Sequence, residues 1–202
     1  MEQHEREEVT AVNAARKGFY EFLASVYKLE LTDEQIATVA TQALPLDDEY
    51  VGGGYAQVKE YLRHRDSGTR QELAVDYARV FLCAGMYEQM TAPPYESVYT
   101  SEEHLLMQDA RDAVLAFYRG EELDLPADNT TPEDHLSFEF QFMAKLVERA
   151  QAALEAGDET RYEELCAKQR AFYDEHLAPW VRICAPMCAR MHARASTGAS
   201  PT

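Results

Sequence analysis

Apolar residues recur at helical spacing along almost the whole chain. Val9, Val12, Phe19, Phe22, Leu23, Val26 and Tyr27 follow the i, i+3, i+4, i+7 rule and predict a helix over residues 5–28. Thr32-Asp33-Glu34-Gln35 reads as a capping box that opens a second helix, with Ile36, Val39 and Ala43 as its stripe. Pro45 and Gly52-Gly53-Gly54 are expected to bracket a loop before a short third helix carrying Tyr55, Val58, Tyr61 and Leu62. Thr69-x-x-Glu72 predicts the cap of a fourth helix, with Leu73, Tyr77, Val80, Phe81 and Ala84 inward.

Gly85 to Thr100, which contains Pro93-Pro94, reads as the first long irregular stretch. Ser101 is expected to cap a helix running through Leu105, Val114, Phe117 and Tyr118 to Gly120. Residues 121–130 read as an acidic, Pro-containing connector. Thr131 as N-cap, Pro132 at N1 and Asp134 at N3 predict the start of a long helix through Leu136, Phe138, Phe142, Met143, Leu146 and Leu154, ended by Gly157. A further helix holds Tyr162, Leu165, Phe172 and Tyr173 before Pro179, and a last one spans Trp180 to Arg194 with an interruption at Pro186. Strand-like alternation is absent, and there is no internal repeat. The expectation is an all-α bundle of about eight helices. Helical parts at 1–120 and 132–195 flank an acidic hinge near 121–131, and the small, polar tail 196–202 is expected to be disordered.

Charge narrows the partners. The chain has 202 residues and a net charge of −17, with net −10 concentrated in residues 121–165 and net +3 in 166–202. A nucleic-acid binder needs a basic face, and an anionic membrane repels the same sign, so both classes are disfavoured. The four cysteines (Cys83, Cys166, Cys184, Cys188) are too few and irregular for a disulfide framework. The N-terminal Met1-Glu2-Gln3-His4-Glu5 lacks the basic and apolar regions of a secretory signal, and no apolar run has spanning length. A reduced, cytoplasmic protein is expected.

Catalytic and cofactor motifs are scarce. The residues three before each His are Met1, Tyr61, Ser101, Pro132, Tyr173 and Ala189, so the Glu-x-x-His pairs of a di-iron bundle are excluded. There is no His-Glu-x-x-His, no Cys-x-x-Cys and no phosphate loop, so no cofactor is expected. Cys184, Cys188 and His192 at i, i+4 and i+8, with His176 upstream, have soft-metal ligand types, but Pro186 breaks their register. They read as a packed face and not as a metal site. The alternative, a metal-dependent helical enzyme, would have to use them.

Two segments stand out. Ala92-Pro93-Pro94-Tyr95-Glu96-Ser97-Val98-Tyr99 sets a rigid, donor-free Pro-Pro beside the rings of Tyr87, Tyr95 and Tyr99, which suits either an aromatic groove or a pinned crossover. Pro132-Glu133-Asp134-His135 reads partly as a helix start, which leaves His135 unexplained.

Together with Tyr77-x-Arg79-x-Phe81-Leu82, Leu136-Ser137-x-Glu139-x-Gln141-Phe142-Met143 and Phe172-x-x-x-His176-Leu177-x-Pro179-Trp180, these segments resemble the TorD/DmsD family of chaperones that mature molybdenum-containing oxidoreductases. The order and spacing agree from about residue 15 to about residue 182. The resemblance implies an all-helical protein without catalytic activity. It would bind the twin-arginine leader, and the apo form, of a molybdopterin-dependent subunit in the cytoplasm until the cofactor is inserted and export begins. A nitrate-reductase-type assembly chaperone acting on a non-exported subunit is the alternative within the same group. Positions matching the family's leader-binding region are Pro93, Pro94, Tyr95, Ser97 and Tyr99, with Asp134 and His135 across the groove and Tyr87 nearby. Relatives often place tryptophans around the Pro-Pro loop, whereas the single Trp here is Trp180. A monomer and a domain-swapped dimer both remain compatible with the pattern. A leader joins guanidinium groups to an apolar stretch, so its receptor needs carboxylates beside aromatic surface.

Overall fold

A computed structural model describes residues 3–42, 49–84 and 91–184. The described residues form eight α-helices: α1 (Gln3–Lys28), α2 (Asp33–Thr41), α3 (Glu49–Arg63), α4 (Thr69–Phe81), α5 (Glu96–Thr100), α6 (Asp109–Gly120), α7 (Leu136–Ala156) and α8 (Glu159–Phe172). A π-helical turn, Tyr173–Leu177, carries α8 on into a helical stretch at 178–184. The all-α expectation holds.

The organising element is α7, whose Leu136, Phe138, Phe142, Met143, Leu146 and Leu154 are all buried. Two helices cover it: α1 along one side and α8 along another. Polar side chains fix the register of α1 on this core. Arg6 Nη2 donates to the Leu154 carbonyl at 3.0 Å, Asn13 Nδ2 to Gln151 Oε1 at 3.0 Å, and Arg16 Nη2 to Gln169 Oε1 at 2.7 Å. Ala24, Val80, Ala92, Val114 and Tyr118 join Phe172 and Trp180 in the same core, so residues on both sides of 121–131 contribute to it. A smaller cluster of Ile36, Val39 and Leu62 ties α2 to α3 beneath Phe22 of α1.

Several local expectations are corrected. The capping box at Thr32 is present, with Gln35 N–H donating to Thr32 Oγ1 and Thr32 N–H donating to Gln35 Oε1. Gly52-Gly53-Gly54, however, is not a loop but part of α3. Glycine costs a helix about 1 kcal/mol per residue, and tertiary contacts outweigh that here. Lys59 Nζ donates to the Ala40 and Gln42 carbonyls at 2.6 and 2.9 Å, and Tyr55 Oη to Gln42 at 2.5 Å, so α3 satisfies the open end of α2.

Thr69 does not cap α4. Asp66 does that work from the preceding turn, accepting from Gly68 N–H and Thr69 N–H. Ser101 does not cap α6 either: that helix begins at Asp109, and the supposedly irregular stretch contains the short α5. The long helix begins at Leu136 with His135 as N-cap, not at Thr131, and Gly157 closes it at φ 75°. Pro179 does not separate two helices. The chain runs through it because the wider π-turn just before it takes up the backbone disturbance that the proline ring brings. Tyr87, Pro186, Cys188 and His192 lie outside the described residues.

Candidate functional site

The two segments singled out by sequence meet. Leu136 N–H donates to the Pro94 carbonyl at 2.9 Å and Glu96 N–H to the Asp134 carbonyl at 3.0 Å, which pairs Tyr95 with His135 as an isolated antiparallel bridge. The Pro-Pro dipeptide has no N–H to offer, so it enters this junction through its carbonyls alone. The Tyr95 ring stands edge-on to the His135 imidazole, with centroids 4.8 Å apart.

Asp134 is fully buried, and its Oδ2 accepts from Ser97 N–H at 2.9 Å, capping the start of α5. Ser97 Oγ in turn accepts from Gln108 N–H at 3.2 Å, which anchors the entry to α6. Glu133 forms a two-point pair with Arg111 of α6, and its backbone carbonyl accepts from Tyr118 Oη at 3.2 Å. Residues 132–135 therefore tie α5, α6 and α7 together. Pro94, Ser97, Asp134 and His135 are buried, while Pro93, Tyr95 and Tyr99 keep part of their surface in solvent.

His135 is electrically silent at neutral pH. Its Nδ1 accepts from Ser137 N–H at 3.1 Å as the cap of α7, so the ring is the neutral Nε2–H tautomer. Burial, reinforced by Lys28, lowers its pKa from 6.5 to about 4.

Sequence reasoning missed a set of buried acids behind this junction. Glu96 pairs with His176 Nδ1 at 2.9 Å, both groups almost wholly inside. The Glu139 carboxyl lies against that of Glu96 and the Trp180 indole, fully buried, yet it makes no well-formed hydrogen bond among the described residues. Burial, with the neighbouring Glu96 and Asp134 charges, raises the Glu139 pKa far above the carboxylate range. Burial also raises Glu96, partly offset by His176. Two abutting carboxyls away from water disfavour ionising together, and both are pushed upward, Glu139 by burial and by its acidic neighbours. A Glu on the inward side of the apolar run Leu136–Met143 was the available signal. His176, which sequence spacing groups with the cysteines, has a carboxylate as its partner instead. Among the described residues no three His, Cys, Asp or Glu side chains are arranged to hold a metal ion.

Trp180 stacks on Tyr99 with centroids 5.3 Å apart and planes 22° apart. The single tryptophan thus does reach the Pro-Tyr segment, from far along the chain. On the outer side of Glu96 and His176, α5, α6, α8 and the π-turn enclose an open groove of about 700 Å³. No helix among the described residues is long and apolar enough to cross a membrane.

Several known proteins are similar to this chain. The TorD chaperone of Psychrobacter sp. (strain PRwf-1) is 26% identical over 199 residues, covering 95% of this chain and 86% of its own. That of Ferrimonas balearica is 29% identical, covering 86% and 88%. A crystal structure of a redox enzyme maturation protein from Archaeoglobus fulgidus aligns with 77% of this chain and 91% of its own, at 17% identity and a TM-score of 0.43. Residues 44–185, well over half of the sequence, match the nitrate reductase delta subunit family, and with its TorD relatives the chain belongs to that family of chaperones.

Proposed function

We propose that the chain is a maturation chaperone that holds the twin-arginine leader, and the apo form, of a molybdenum-containing oxidoreductase subunit in the cytoplasm until its cofactor is inserted. The observation that carries this reading is the likeness to TorD chaperones over 95% of the chain. The Pro93–Tyr99 segment is the client-facing element. Pro93, Tyr95 and Tyr99 present their solvent-facing edges to the client. Pro94, Ser97, Asp134 and His135 act from inside, fixing the position of those edges through the bridge and the α5 cap. The protein binds and releases without turnover, and no cofactor of its own takes part.

The test is calorimetric titration with a synthetic leader of the molybdoenzyme encoded beside this chain. Saturable heat with that leader is expected. No heat above buffer with any molybdoenzyme leader of the host would overturn the leader-binding reading. Binding to an apo-subunit that has no twin-arginine leader would favour the nitrate-reductase-type role instead.

A further inference from the structure

Glu139 is wholly buried, and neither of its carboxyl oxygens has a well-formed hydrogen bond among the described residues. It lies against the carboxyl of Glu96 and the indole of Trp180. Two ionised carboxylates can only accept, so each leaves the other unsatisfied. One proton between them turns the contact into a hydrogen bond.

The groups packed around the pair are engaged elsewhere. From the π-turn, His176 Nδ1 is 2.9 Å from Glu96 Oε2. From the junction, Asp134 adds a third carboxyl, one oxygen of which accepts from Ser97 N–H. From α6, Tyr118 faces all three acids but donates its hydroxyl to the Glu133 carbonyl, and Arg111 is paired with Glu133. From α8, Lys168 is bound to Glu121. From α1, Lys28 lies over the Phe138 ring and acts on His135. Burial pushes both Glu139 and Glu96 upward, the direction that keeps a proton on the pair.

Glu96 opens α5, a five-residue helix too short to hold itself. Its place is fixed by Glu96 N–H and Ser97 N–H on Asp134, by the Tyr99–Trp180 stack and by the Glu96 carboxyl. Charge on both Glu96 and Glu139 would repel across the contact between α5 and α7, away from water, where charges act strongly. The same helix carries Tyr99, and Tyr95 is its N-cap.

We propose that Glu139 is a positioning residue for the client-facing segment: one proton held between its carboxyl and that of Glu96 latches α5 to α7, and loss of that proton to solvent releases α5 with the edges of Tyr95 and Tyr99. The latch thus holds on the acid side and opens as the pH rises. Its effect on client binding rests on the chaperone reading above; the latch itself does not.

Hydrogen exchange of the amides at positions 96 and 97 from pH 5 to pH 9, expressed as protection against the intrinsic rate, tests the latch without a client. In wild type, protection should be full on the acid side. Above the transition it should fall by up to about ten-fold per pH unit, the limit for one proton, while far-UV circular dichroism stays that of folded protein. The emission of Trp180, the single tryptophan, should change over the same range as its stack on Tyr99 opens. An amide on either side replaces the proton, because its N–H donates to the remaining carboxylate. Glu139→Gln and Glu96→Gln should therefore each keep both amides protected throughout, and either one serves if the other fails to fold. Affinity for the synthetic leader should fall across the transition in wild type and stay level in these variants.

Protection that stays flat in wild type, or that falls equally in the glutamine variants, would overturn the latch. Wild-type leader affinity that ignores pH while protection changes would overturn its role in client binding. Wild type that binds no leader at any pH would overturn the chaperone reading, and exchange would still decide the latch.

Discussion

At the scale of single residues, the junction is governed by buried groups whose charge depends on their surroundings. His135 and Glu139 lie a turn apart and have opposite linkage to pH. The folded pKa of His135 is depressed to about 4, so the unfolded chain takes up a proton first as acid is added. Stability is lost as the pH falls from about 6.5 towards 4, by up to about 3 kcal/mol. The folded pKa of Glu139 is raised, so its contribution is complete at acid pH and is lost as the pH rises through the folded value. Urea denaturation across pH 4–9 should separate the two. His135→Asn, which keeps an acceptor for Ser137 N–H, should flatten the acid limb. Glu139→Gln should flatten the alkaline limb and make the protein more stable than wild type at pH 8. Unchanged slopes in both variants would show that these groups do not set the pH response.

At the scale of elements, glycine marks two opposite cases. Gly53 lies within α3, and a Cβ there would meet no atom within 4 Å. Gly53→Ala should therefore stabilise the protein by about 0.5–1 kcal/mol, since alanine gives up less backbone freedom on folding. Gly157 also has open space around it, but its φ is 75°. Gly157→Ala should cost about 1–2 kcal/mol, because an L residue is strained in the left-handed region. Thermal melts of the two variants should move in opposite directions. A loss at Gly53 would mean that α3 needs its glycines for something other than helix geometry.

The same scale explains why element boundaries were harder to read than the elements. Amphipathic stripes foretold α1, α2, α4, α7 and α8, because an apolar face at 3.6-residue period has few uses other than burial. The start of α7 was read at Thr131 because Thr-Pro is a strong local signal. The Tyr95–His135 bridge instead holds His135 in extended backbone, which delays the helix to Leu136. That competing interaction comes from residues about forty positions away, and no local window contains it.

At the scale of the whole molecule, Glu121 joins the long acidic connector to the C-terminal helices. Its side chain is 1% exposed and accepts from Arg149 and Arg161 at 2.7 Å each and from Lys168. Burial pushes its pKa up, but Lys168, Arg149 and Arg161 together outweigh burial and hold it below the usual range. Glu121→Gln should cost about 1–3 kcal/mol at neutral pH, less than a fully buried pair, since the three cations stay partly in solvent. The loss should shrink as the pH falls through the carboxylate's folded pKa, where wild type surrenders the same contribution. Guanidinium chloride midpoints at pH 7 and pH 4 would check it, and equal losses at the two values would refute the charge account.

Hydrophobic periodicity by itself determined the helical class and the apolar stripe Leu136–Leu154, and the glycine after that stripe determined its end at Gly157, since each follows from forces acting within one or two turns. Motif order determined the family, because four segments with fixed spacing fit few other proteins. What the candidate residues do was left to tertiary structure. Asp134 was expected across a groove from the Pro-Tyr loop; folding buries it as the cap of α5, where a carboxylate replaces the water that Ser97 N–H gives up. Trp180 lies some eighty positions from the Pro-Tyr segment in sequence, and the packing of the 178–184 stretch stacks it on Tyr99. Glu96, Glu139 and His176, spread over eighty positions, become one buried set because α5, α7 and the π-turn converge there. Burial and the approach of distant charges decide protonation and access, and both depend on the three-dimensional path of the chain and not on local sequence.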